Sequence, residues 1–92
     1  MTGGLHRQDP TSREARTQAR FAHRHFLRQN NAIGCNYKLG KVLGHSTQVV
    51  AGTNHYVEYK INDRRCAAKV CNVVIFEQSW TGTHEVTSMT CA

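Results

Sequence analysis

The chain has 92 residues, 39% of them hydrophobic and one proline, which allows one small core and argues against extended disorder. Twelve Lys and Arg against six Asp and Glu give a formal charge of +6, which permits anionic partners without selecting one. No apolar run approaches the roughly eighteen residues of a membrane span, so no membrane anchor is expected. Four cysteines in so short a chain favour an oxidising compartment. Met1-Thr2-Gly3-Gly4 lacks a signal-peptide core, so Met1 reads as a start that stands in for a removed leader, and secretion is expected.

Residues 1–10 are polar, hold Gly3-Gly4 and Asp9-Pro10, and read as an extended arm. Thr11-Ser12-Arg13-Glu14 fits a capping box, in which Thr11 accepts from the amide three residues on and Glu14 reaches back. The helix that follows carries Ala15, Ala19, Ala22 and Phe26 on one narrow stripe, small enough for a sheet to come close. Arg13, Arg16, Arg20, Arg24 and Arg28 fall on the opposite side, and the helix is expected to end near Asn30-Asn31.

Beyond Gly34 the pattern turns to strands. Tyr37 to Thr47 has Tyr, Leu, Val and Thr at strand density, and Thr53 to Ile61 places His55, Val57, Tyr59 and Ile61 on one face. Gln48-Val49-Val50-Ala51-Gly52 lies between them as a hairpin turn, and it is apolar where such a tip is ordinarily polar, as though meant to be buried by a partner. Asn62-Asp63-Arg64-Arg65 forms a polar turn before a third strand, Val70 to Glu77. Ser79-Trp80-Thr81-Gly82 makes a second tip, and His84 to Cys91 a fourth strand. The expected fold is a single α+β domain over 1–92, with one helix across a four-stranded antiparallel sheet.

The cysteines test this arrangement, because paired residues of an antiparallel hairpin are centred on its tip. Cys71 and Cys91 centre on the Trp80-Thr81 turn, and Cys35 and Cys66 centre between Val50 and Ala51. Of the three possible connectivities, only Cys35–Cys66 with Cys71–Cys91 places both bridges across hairpins identified independently. The Cys66-x4-Cys71 spacing matches zinc pairs poorly, and His23 and His25 point apart on a helix, so no metal or other cofactor is expected. With every Cys engaged and no acid–base pair or phosphate-cradling loop, no catalytic residue is assigned and an enzyme is not expected.

The central pentapeptide Gln-x-Val-x-Gly, followed by Asn54-His55-Tyr56, resembles the signature of the cystatins, inhibitors of papain-like cysteine proteases. Gly3 at the arm, Cys71 to Trp80 and then Cys91 resemble the same family's disulfide-containing secreted members, and Gly-Gly-x-x-x-Gln-Asp-Pro resembles those of ticks and other arthropods. The resemblance implies a cystatin-like fold and a competitive inhibitor of cathepsin-type proteases. It implies a protease-binding edge of Thr2, Gly3 and Gly4 from the arm, Gln48 to Gly52 at the centre, and Ser79 with Trp80 beside it. The inhibitor is expected to be a monomer, with no nucleic-acid partner. Departures from the family pattern are Ser79 in place of the usual Pro, Thr2 before the arm glycine, and a first disulfide that starts far upstream at Cys35. Asn31 lies near where some secreted cystatins meet asparaginyl proteases, although its neighbours Asn30 and Ala32 differ from theirs. The rival function is polyanion or anionic-membrane binding by the helix Arg face, but no aromatics interleave with those arginines.

Overall fold

The computed structural model describes residues 4–29 and 34–92. In chain order the elements are β1 (His6–Gln8), α1 (Arg13–Gln29), β2 (Lys38–Val50), β3 (Gly52–Asn62), β4 (Lys69–Gln78), a 3-10 turn (Ser79–Thr81) and β5 (Thr83–Cys91). The strands form one antiparallel sheet in the order β1-β2-β3-β4-β5. The fold is α+β as expected, with five strands where the sequence suggested four. The additional strand is three residues of the arm, His6 to Gln8, opposite Thr47, Ser46 and His45. All three are exposed, so no apolar alternation marks them, and only their pairing with β2 makes them a strand.

The helix begins one residue later than the capping box implied. Ser12 is the cap, with its Oγ accepting from the Ala15 amide at 3.0 Å. Thr11 instead donates its amide and hydroxyl to Asp9 Oδ1, at 2.8 and 2.6 Å. Thr11 is taken up by the turn after Asp9-Pro10, which leaves the capping position to Ser12. Ala15, Ala19, Ala22 and Phe26 are all buried against the sheet. Facing them are Val42 of β2, Val57, Tyr59 and Ile61 of β3, and Cys71, Val73 and Ile75 of β4. Tyr37 precedes β2, packs edge-on against Phe26, and donates its hydroxyl to the Ala67 carbonyl at 2.8 Å.

Both bulged strands depart from simple alternation. The register between β2 and β3 shifts twice, between Leu39 and Val42 and between Val42 and Gly44. Between β4 and β5, Val74 faces Ser88 and Ile75 faces Val86, which leaves Thr87 as the extra residue, its hydroxyl donating to the Val74 carbonyl at 3.2 Å. The inward positions of β5 accordingly change parity, from His84 and Val86 to Met89 and Cys91. Cys71 faces Cys91 in register and is bridged to it, and Cys35 is bridged to Cys66.

Arg20, Arg24 and Arg28 are exposed, but Arg16 is half-buried and donates from Nη1 to the Gly40 carbonyl at 2.8 Å. The row of five cations is therefore interrupted: one of its members is tied to the sheet.

Candidate functional site

Antiparallel order brings both hairpin tips to one end of the sheet. The first is tighter than the pentapeptide suggested: β2 runs through Val50, β3 resumes at Gly52, and only Ala51 lies between them. Gly52 has a φ of +122°, and a Cβ there would sit 2.7 Å from the Glu77 carbonyl oxygen and 2.9 Å from the Phe76 ring. Both the backbone conformation and the neighbouring strand therefore demand glycine. The second tip is the Ser79–Thr81 turn closed by Gly82 at φ +67°.

Val49 is 58% exposed and Trp80 69% exposed, although both are large apolar side chains. Val50 is half-buried, Ala51 and Ser79 are exposed, and Gly52 is half-buried. Val49, Val50, Gly52, Thr53, Glu77, Ser79 and Trp80 line one shallow groove between the tips. A hydrogen bond from Gln78 Nε2 to the Ala51 carbonyl, at 2.7 Å, joins the two turns directly. Gln48 is half-buried on the sheet face away from the helix, where its Oε1 accepts from the Tyr56 hydroxyl at 3.2 Å and from Asn54 Nδ2 at 3.5 Å. The glutamine thus anchors the loop, while the valine after it projects.

β1 runs antiparallel to β2, so the chain reaches His6 from the end where the tips lie. Gly4 is exposed, with open space around it. Thr2, Gly3 and Asn31 lie outside the described residues.

A second constellation lies between helix and sheet behind this edge, and sequence reasoning missed it. His45 and His55 are buried, with Nε2 of His45 3.1 Å from Nδ1 of His55. His55 Nε2 lies 3.1 Å from Glu77 Oε1, and the Glu14 carboxylate is 3.8 Å from His55 Nδ1. Burial, then the neighbouring His55, push the His45 imidazole below the ordinary histidine range, with Glu14 opposing. No local motif betrays this group, because its members come from three strands and a helix. The available signal was His55 on the apolar face of its strand. His23, also buried, is held by the Tyr37 carbonyl at 3.1 Å, and desolvation lowers its pKa.

The comparisons follow the same lines. The Cystatin domain family model matches residues 3–90. A salivary cystatin of the soft tick Ornithodoros moubata is 26% identical over 98% of this chain and 97% of its own, with a TM-score of 0.77. Mialostatin, a gut cystatin of the hard tick Ixodes ricinus, is 21% identical over 97% of both chains, with a TM-score of 0.73. Dimeric human cystatin F is 14% identical and shares the fold at a TM-score of 0.83, over 100% of this chain and 88% of its own. No curated protein sequence matches. With the family's domain matched across nearly its whole length and the fold in agreement, the chain belongs to the cystatins, a family of cysteine protease inhibitors.

Proposed function

We propose that this protein is a secreted, monomeric, reversible competitive inhibitor of papain-like cysteine proteases of the cathepsin type, and that it has no catalytic activity of its own. The inhibitor fills the cleft without presenting a bond for cleavage. Thr2, Gly3 and Gly4 pass along the non-primed side, with Gly3 letting the backbone turn away from the catalytic thiolate. Gln48 to Gly52 supplies the centre, and Ser79 with Trp80 the primed side. The observation that carries this reading is the pairing of Val49 and Trp80, two large exposed apolar side chains on adjacent tips, with the tips tied by the Gln78–Ala51 hydrogen bond. Tying the loops in advance lowers the ordering cost of association, and a Trp ring buries a large area with few rotors.

Titration against a panel of papain-like proteases tests the activity. Val49→Asp places a charge that is harmless in water and costly in a closed cleft, so inhibition should fall by at least a hundredfold with the fold unchanged. Trp80→Ala should weaken binding by about 2 kcal/mol or more, as loss of an aromatic anchor buried on binding does. Full inhibition by both variants rejects the wedge.

A further inference from the structure

We propose that Glu14, His45 and His55 form a site for a zinc-class divalent cation, which would clip the first turn of the helix to the β2–β3 hairpin. One ligand atom from each residue, namely a Glu14 carboxylate oxygen and an imidazole nitrogen of each histidine, lies within 4.8 Å of the others. A tetrahedral ion with bonds of about 2.0–2.1 Å sets its ligand atoms roughly 3.3 Å apart. Two of the three separations bracket that value, 3.1 Å between the two imidazole nitrogens and 3.8 Å from His55 Nδ1 to Glu14 Oε1, and the third, from Glu14 to His45, is longer but within 4.8 Å. Glu14 is 63% exposed in its side chain and can move closer to both imidazoles by rotamer change, whereas the two histidines are fixed by burial.

The outer contact supports the assignment. His55 Nε2 donates to Glu77, which orients the ring and leaves the Nδ1 lone pair facing His45 Nε2, with Glu14 3.8 Å away. Metal-binding histidines are commonly held in this way, by a carboxylate on the nitrogen away from the ion. His55 Nδ1 accepts from His45 Nε2–H at 3.1 Å, and a cation would take the place of that shared proton, with His45 passing to its Nδ1–H tautomer. Two imidazoles and one carboxylate suit zinc and its borderline neighbours, and they suit calcium or magnesium poorly. Three protein ligands leave a fourth position for water.

The test uses the full chain, stripped with chelator and then titrated calorimetrically with zinc chloride, alongside thermal unfolding with and without the metal. One equivalent should bind and raise the midpoint, and calcium chloride should do neither. Glu14→Gln, at an exposed position that leaves the core intact, should weaken zinc binding by about tenfold or more, and His55→Gln should abolish it. Glu77→Gln should weaken binding by about 10–100-fold through the lost outer contact. A control lacking two of the remote imidazoles, His6→Gln with His25→Gln, should bind zinc normally. Absence of uptake overturns the assignment. So does affinity unchanged in Glu14→Gln, or lost only in the control.

Discussion

Gly52 and Tyr59 show how much depends on single side chains. Gly52→Ala would place a methyl group against the Glu77 carbonyl at 2.7 Å, at a φ of +122°. Backbone strain of this kind costs about 1–3 kcal/mol, and the tip must move to relieve the clash. The variant should melt at lower temperature and inhibit at least tenfold less well, as read by calorimetry and protease titration. Tyr59 is the opposite case. Its ring is fully buried, its hydroxyl finds no partner among the described residues, and burial pushes its pKa up to about 12. Removing an unpaired buried hydroxyl relieves its desolvation, so Tyr59→Phe should stabilise by about 1 kcal/mol. The check is a higher urea midpoint at constant m-value.

Among the elements, the helix separates packing from charge. Arg16 ties the helix to the bulge of β2 through the Gly40 carbonyl, while Arg20 and Arg24 point to solvent. Arg16→Met loses a charge-assisted bond to the backbone, worth about 1.5–3 kcal/mol where it is shielded and less where water reaches it. It should lower the melting temperature, while Arg20→Gln with Arg24→Gln should leave both stability and protease inhibition within error. The elements also show what could be read in advance. The alanine stripe and the 55-57-59-61 face were legible because each repeats over four positions on a single unbulged element. Both cysteine pairs follow from hairpin symmetry, since a bulge of one residue moves the centre by only half a position. The β1 strand, the Ser12 cap and the parity change at Thr87 were not legible, because each depends on a neighbour distant in sequence or on a choice between equivalent residues. Val49 and Trp80 announced the exposed edge through composition. The Glu14, His45, His55 and Glu77 group did not, since it exists only once the register of β2, β3 and β4 is known.

For the whole molecule, covalent and non-covalent restraint fall at opposite ends. Both disulfides lie away from the tips, and with sequence separations of 31 and 20 they contribute about 3–4 kcal/mol each in a chain-entropy estimate. The helix is held to the sheet partly by His23, whose neutral ring bonds the Tyr37 carbonyl and stacks near Phe26. Burial lowers its folded pKa, so the unfolded chain takes up the proton first. Its contribution is therefore complete above the unfolded value of about 6.5 and is lost as pH falls from there through the depressed folded value. Urea midpoints at about pH 7.5 and about pH 5 should differ less in His23→Gln, which keeps the donor and cannot charge. The outer margin of the sheet has a further consequence. Among the described residues β1 covers His45 to Thr47, and the N-terminal part of β2 would offer a free ladder to a passing strand. There the strand is kinked by two register shifts, Lys38 and Lys41 stand exposed, and Arg16 already occupies the Gly40 carbonyl. Along this margin a second chain finds no straight row of amides and carbonyls to copy, so irregularity protects the exposed part of β2 against edge-to-edge pairing.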